Sequence, residues 1–422
     1  MLIEQFQTVS IGLIVFMALV SGGMLTLVLM TTRRYQLSFS IILILAAFLA
    51  LMGVLASVAY LENLAQGLAN AVVLLILSFA LGYSLTTFSV LSYTTKRKAP
   101  PANLNQTDQT AVICLAPGEP PDYGVESASR RLALADDPQD VPAVLLRPFY
   151  LRDLRTKYAR IKRSSYRELL RELTQKVQSR LDSSHTVYTA FYNDKPTFAM
   201  TLYDAIKSGA ARVVIAHIRV TDPPDPVMAD ELYEGLDPSR YGVQTMEVGP
   251  LWDSDLLPQI YARRVLEVVP QVSDHMESIG LLLVGRGHVV SGEKEQSSAR
   301  RHNQEANFQN KVRQALIKVG FDESRIAVGW LRSHEPSAAA ALSALAVGGC
   351  KSVLWMPSTF PVDGINTLYD IPAQLDPIAS RLGVKLTPLG AWNADDLAAE
   401  EIAARVRVMS GRVHDAVVGR SL

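Results

Sequence analysis

The hydrophobic pattern divides the chain in two. Residues 9–30, 37–60 and 67–93 each run without an acidic or basic side chain, and the charges between them are Arg33, Arg34 and Glu62. A run of roughly 20 apolar residues crosses a hydrocarbon core about 30 Å thick. No water bonds the backbone there, so each run must pair its own N–H and C=O groups and is predicted to be a helix. A cleaved signal peptide is one short apolar run, and a buried hairpin does not need this length or this freedom from charge. Three runs in series therefore predict a transmembrane region over 1–93.

Residues 94–110 (TTKRKAPPANLNQTDQT) are polar, hold a proline pair and show no periodicity, which predicts a linker. Beyond it, short runs rich in Val, Ile and Leu alternate with helical stretches. Strands are predicted at 111–116, 186–192, 212–218, 280–284, 325–330, 352–356 and 384–388. Helices are predicted at 166–181, 197–207, 303–318, 337–346 and 372–382. Near-continuous apolar strands separated by helices point to α/β architecture with parallel sheets covered on both faces.

An internal repeat sharpens this picture. Setting Lys195-Pro196-Thr197 on Glu335-Pro336-Ser337, an offset of 140 residues, puts Leu202 on Leu342 and Gly209 on Gly349. Val213-Val214-Ile215 then falls on Val353-Leu354-Trp355 without a gap, and upstream 186–192 falls on 326–332. The shared unit is a strand, a proline at the helix start, a helix, a glycine that ends it, and the next strand. Two related lobes are expected, 111–270 and 271–422. In open α/β sheets ligands sit at the carboxyl ends of the strands, so a cleft between the lobes is the expected site.

Charge adds an orientation. Arg33 and Arg34 lie in the first connection and Lys96, Arg97 and Lys98 follow the third run, whereas Glu4 and Glu62 mark the other two segments. Three spans put both basic clusters on one side. The positive-inside rule then predicts an N-terminus outside and a soluble part in the cytoplasm. Lys plus Arg balance Asp plus Glu at 41 each, with no basic stripe or interleaved aromatic pattern, so nucleic acid is not an expected partner. Cys114 and Cys350 both lie in or beside apolar segments, which fits a reducing compartment and no disulfide framework, and zinc-ligand spacing is absent. Gly22, Gly23 and Gly53 are small residues that would admit a partner helix closely.

The most specific stretch is Val353-Leu354-Trp355-Met356-Pro357-Ser358-Thr359-Phe360 leading into Asp363-Gly364-Ile365-Asn366-Thr367-Leu368-Tyr369-Asp370-Ile371. A strand ending in Pro, then a Phe, an Asp and a Thr-Leu-Tyr run that opens a helix resembles the ferrochelatase signature. Leu281-Leu282-Leu283-Val284-Gly285-Arg286-Gly287-His288 looks like the strand and turn that carry the metal-handling His in ferrochelatases and in the shorter sirohydrochlorin and cobalt chelatases. The first lobe resembles the family more loosely, through 111–118 with Pro120, 187–196 and 211–220. The resemblance covers about 111–410. It implies two Rossmann-like lobes with parallel sheets, a porphyrin cleft between them, and insertion of ferrous iron into a porphyrin with no further cofactor.

The departures from the family pattern bear on chemistry. The family's reactive His falls at Arg286 and its first carboxylate at Asn366. A strand-end Pro is replaced by His217, the Gly-Gly-Ser-Pro turn by Lys162-Arg163-Ser164-Ser165, and the Gln-Ser-Arg segment by Gly329-Trp330-Leu331-Arg332. Pyrrole nitrogens must lose protons to bind a metal. A neutral imidazole accepts a proton near pH 7, whereas arginine stays charged and an amide has none to exchange. His288 and Asp370 are the expected substitutes, as catalytic groups and as N/O ligands for a divalent ion. The alternative has His288 as a solvated turn residue and Asp370 as a first-turn acid favoured by the helix dipole. Arg286, Asn366, Tyr369 and His217 are the expected substrate-binding residues, Arg286 because its planar fork pairs a propionate. Two functions follow: a membrane-anchored ferrochelatase of haem synthesis, or a degenerate chelatase-like protein that binds tetrapyrrole or serves as a subunit of a membrane complex. The expected partners are a porphyrin or other tetrapyrrole, the lipid bilayer and, through the helices, a membrane protein.

Overall fold

The computed structural model describes the backbone of residues 2–59, 64–91, 107–133, 142–222, 233, 236–272, 276–287, 295–332 and 334–418. The chain forms two compact units, one of residues 1–94 with 122–159 and one of 95–121 with 160–422.

The first unit is built on α1 (Leu2–Met30), α2 (Arg33–Ala59) and α3 (Leu64–Leu91). Their apolar stretches Thr8–Met30, Arg33–Val58 and Ala65–Leu91 are long and apolar enough to cross a membrane. Glycines set how closely they meet. A Cβ on Gly22 would stand 2.0 Å from the Phe79 carbonyl oxygen, and one on Gly82 would stand 2.1 Å from that of Leu19. Backbone therefore touches backbone between α1 and α3, and a cross-helix pair, Thr26 with Thr87 at 3.3 Å, lies beside the contact. Gly53 seats α2 against Ser10 and Ile14 of α1 in the same way. Gly22, Gly23 and Gly53, expected to face a partner helix, are thus occupied inside the bundle. Large apolar side chains such as Ile44, Leu77 and Leu85 point outward instead.

Two helices not predicted from the pattern complete this unit, α4 (Val125–Ala133) and α5 (Arg147–Ile161). The last carbonyls of a helix have no partner within it. Here Arg155 of α5 donates to the carbonyls of Thr31 at 2.5 Å and Val28 at 3.2 Å, and the Tyr123 hydroxyl donates to that of Met30 at 2.5 Å. Burial lowers the Arg155 pKa and raises that of Tyr123. Leu151, Leu154 and Tyr158 form the buried stripe of α5.

The second unit holds two four-stranded, all-parallel sheets. The first comprises β1 (Thr107–Ala116), β2 (His185–Phe191), β3 (Ala210–His217) and β4 (Gln244–Val248) in the order β2-β1-β3-β4. The second comprises β5 (Ile279–Gly285), β6 (Ile326–Trp330), β7 (Ser352–Met356) and β8 (Lys385–Pro388) in the order β6-β5-β7-β8. Every pairing is parallel. The covering helices are α6 (Tyr166–Gln178), α7 (Phe198–Lys207), α8 (Leu257–Val272), α9 (Glu295–Lys318), α10 (Ala338–Val347), α11 (Ile371–Leu382) and α12 (Asp396–Val418). β1 begins at Thr107, inside the segment expected to be linker, because Thr107 N–H already bonds the Gly209 carbonyl at 2.8 Å.

The repeat is physical. Thr197 caps α7 by accepting the Met200 N–H at 3.2 Å, and Ser337 caps α10 by accepting the Ala340 N–H at the same distance. Both preceding peptides, Lys195–Pro196 and Glu335–Pro336, are cis, and Gly209 and Gly349 share φ of +88° and +90°. Upstream the predicted register slips by one. Phe191 bridges Thr197 while Trp330 bridges Ser337, so Phe191 answers to Trp330 because the β6–α10 loop is one residue longer.

The two lobes share one core. α12 buries Ala398, Ala399, Ile402, Ala403 and Val406 against α6, α8, β3 and β4 of the first lobe. Each fully buried large aliphatic side chain contributes about 1.5–3 kcal/mol of transfer free energy. Cys114 and Cys350 are buried and unlinked.

Candidate functional site

The carboxyl ends of β5, β6 and β7 bring Arg286, Gly287, Thr359 and Arg332 together. Arg286 follows the last residue of β5; its N–H donates to Thr359 Oγ1 at 2.9 Å, and its carbonyl accepts the Arg332 N–H at 3.2 Å. The next residue must be glycine. Gly287 has φ +76°, and a Cβ there would stand 2.0 Å from the Arg332 carbonyl oxygen.

Beneath this turn lies Glu305 of α9. It is buried, and its Oε2 accepts the Gly287 N–H at 3.1 Å. Burial pushes its carboxyl up to about 7, against the opposing pull of the Thr359 hydroxyl, the Arg286 charge and the two backbone N–H groups. Gln309, one turn on, donates to Ser358 Oγ at 3.2 Å. His302, Trp330 and His334 stack beside the same turn, the two imidazole centroids 4.0 Å apart and that of His302 4.8 Å from the indole. Burial, then the neighbouring His334, lowers the His302 pKa.

The turn after β7 is fastened from both lobes. Glu119, just past β1, accepts the Ile365 N–H with its two oxygens at 3.0 and 3.1 Å and also accepts the Ser164 hydroxyl. Gly364 admits the carboxylate, since a Cβ there would stand 2.7 Å from Glu119 Oε2. Asp363 is held in turn by the Ala391 N–H at 3.1 Å and the Asn393 side chain at 2.7 Å. Asn366–Asp370, expected to open an α-helix, forms a single π turn instead, and the α-helix starts at Ile371. Such turns recur at functional sites. Asn366, Tyr369 and Asp370 are all half-buried on it.

In the first lobe, His217 ends β3. Its Nδ1 lies 2.5 Å from the Tyr192 hydroxyl and its Nε2 3.5 Å from Glu247 Oε2. The nearby His217 imidazole lowers the Glu247 pKa, with burial opposing it. Arg219 lies over the Tyr192 ring, 5.6 Å from its centroid.

The structure therefore places Arg286 at the end of β5, Asn366, Tyr369 and Asp370 on the turn after β7, and His217 inside the first lobe. His288 lies outside the described residues. Among the described residues no group of three His, Cys, Asp or Glu side chains is arranged to hold a metal ion. Glu119 and Glu305 escaped the sequence reading. Glu305 had a signal, because it stands on the same helical stripe as Phe308, Val312 and Leu316, all fully buried. An acid on an apolar stripe is a buried acid.

The ferrochelatase family model matches residues 109–409. The chain belongs to the ferrochelatase family. A ferrochelatase from Geotalea uraniireducens is 26% identical over 300 residues, covering 66% of this chain and 90% of that one. SirB from Bacillus subtilis with Fe3+ is similar in structure at 12% identity and a TM-score of 0.46, covering 72% of this chain and 97% of that one. DR2241 from Deinococcus radiodurans, described as a multi-domain protein with structural similarity to chelatases, is 14% identical with a TM-score of 0.43 and covers 72% and 55%.

Proposed function

We propose that this protein is a membrane-anchored chelatase that inserts a divalent metal ion, ferrous iron foremost, into a porphyrin. The metal replaces two pyrrole N–H protons, so the site needs a group that takes up protons near neutral pH. One observation carries the reading: a buried carboxyl, Glu305, sits under the turn that resembles the family's imidazole-bearing one and accepts the Gly287 N–H, and burial pushes its pKa up to about 7. A base poised at the working pH is the efficient one. Arg286 suits a porphyrin propionate. Asn366, Tyr369 and His217 are assigned to the same substrate, and His288 and Asp370 to the incoming metal. The three helices cross a bilayer with the N-terminus outside and the soluble part cytoplasmic, following the basic residues at Arg33, Arg34 and 96–98. Tethering suits a substrate that itself partitions into membranes.

A second reading is favoured by Arg286 and Asn366, which cannot replace a base and an acid: a tetrapyrrole-binding protein without turnover, or a subunit of a membrane complex. Full-length protein in detergent, given a propionate-bearing porphyrin and ferrous or zinc ion, separates the two by the metalloporphyrin absorbance bands. Turnover that falls at least tenfold in Glu305→Gln, with porphyrin still bound, supports the enzyme. Binding without turnover in the wild type supports the binder, and absence of binding removes the enzyme and the binder and leaves the subunit.

A further inference from the structure

Leu145 and Leu146 end the short 3-10 turn Val144–Leu146 ahead of α5, and Phe149 stands in the first turn of that helix. They are 45%, 56% and 48% exposed, an apolar ridge on a basic segment. The ridge is tied to a specific height on the helix bundle, because the Leu145 carbonyl accepts the Tyr83 hydroxyl at 2.6 Å. Tyr83 stands eight residues before the end of α3 at Leu91, about 12 Å along the axis. Its neighbours Leu81 and Leu85 are 52% and 57% exposed on the outer face of α3. The ridge therefore continues the outward apolar surface of α3 rather than standing beyond its end.

The polar part of the segment is mostly basic. α5 carries Arg147, Arg152, Arg155, Lys157 and Arg160 against Asp153. Arg155 is turned to the carbonyls at the end of α1 and Lys157 pairs with Asp153 at 3.1 Å, so the exposed cations are Arg152 and Arg160. A helix with an apolar edge and a basic body lies in the plane of an anionic lipid surface. We infer that Leu145, Leu146 and Phe149 insert into the lipid monolayer beside α3, and that α5 lies along the headgroups as an in-plane interfacial helix. The occupant is lipid because the ridge is continuous with the outer face of α3 and the charge beside it complements acidic headgroups. The inference rests on the reading that α1, α2 and α3 span a bilayer.

The test places one environment-sensitive fluorophore at Leu146→Cys, or at Leu45→Cys in mid-α2, in full-length protein with Cys114→Ala and Cys350→Ala. The protein is held in vesicles of phosphatidylcholine and phosphatidylglycerol. A nitroxide on the lipid chains is expected to quench both probes several-fold more than aqueous iodide does. Iodide quenching at 146 equal to that of the free dye, with the probe at 45 quenched by lipid, overturns the inference and leaves the spans standing. Shielding of 146 from both quenchers points to a partner protein and also overturns it. Failure of lipid quenching at 45 removes the spanning reading and the inference together. A photoactivatable lipid offered to the unmodified chain gives a label-free check: cross-links on residues 142–149 support insertion, and their absence opposes it.

Discussion

The N–H of Gly287 donates to the carboxylate of Glu305, 3.1 Å from Oε2. This contact joins the strand end that carries Arg286 to an acid buried in the stripe of α9. Four groups around Glu305 favour its charged form, yet removal from water outweighs them and the carboxyl titrates at about 7. A carboxyl so placed holds a proton under mildly acidic conditions and releases it above neutrality.

That balance fixes how stability varies with pH. The folded protein binds this proton more tightly than the unfolded chain, whose glutamate titrates near 4.5. The contribution is therefore complete below about 4.5 and is lost as pH rises through about 7. Glu305→Gln cannot ionise, so its unfolding free energy relative to wild type should improve by roughly 3 kcal/mol across that window. Urea unfolding of both proteins at pH 4.5 and at pH 8, values chosen to bracket it, checks this; parallel pH profiles would count against the assignment.

Gly287→Ala should destabilise the second lobe by more than about 3 kcal/mol, combining left-handed strain with a clash. Gly320→Ala separates the two causes. Gly320 has φ +100° but nothing within 4 Å of a Cβ, whereas Gly287 meets the Arg332 oxygen at 2.0 Å. The Gly320 variant should lose about 1–2 kcal/mol. Equal shifts in urea midpoint for the two variants would show that conformational strain alone matters at Gly287.

Much of the architecture was legible because burial on both faces writes parallel strands as continuous apolar runs. Leu281-Leu282-Leu283-Val284 and Val353-Leu354-Trp355-Met356 are fully or nearly fully buried. β4 was not legible, since Gln244-Thr245-Met246-Glu247-Val248 pairs on one side and keeps polar residues on an edge. Nor was the grouping of α4 and α5 with the apolar helices, because Arg155 and Tyr123 act there by bonding backbone carbonyls, which leaves no periodic trace. Motif spacing singled out Arg286 and Asn366 but not Glu119, whose partner Ile365 is 246 residues away.

In the helix bundle, Gly82→Ala should push α1 and α3 apart, since its Cβ would stand 2.1 Å from the Leu19 oxygen and backbone cannot yield as a side-chain tip can. Gly12→Ala is the control, with nothing within 4 Å. In detergent the first variant should lower the thermal midpoint clearly and the second should leave it within error. A neutral Gly82→Ala would mean that the helices do not meet at this face.

Glu119 should matter more than a surface acid because it serves two donors inside the protein. Glu119→Ala leaves the Ile365 N–H and the Ser164 hydroxyl without their buried acceptor, and each orphaned group costs about 1–3 kcal/mol. Glu119→Gln keeps one oxygen for the Ile365 N–H and should lose about half as much. The effect should also be local to the lobe junction. Hydrogen exchange at Ile365 and along 366–370 should accelerate at least tenfold in the alanine variant. Thr197→Ala, which removes the α7 cap and costs about 1 kcal/mol, should leave those amides unchanged. If both variants accelerated exchange at 365–370 alike, the carboxylate would be one contributor to global stability rather than the clasp between the first lobe and the π turn.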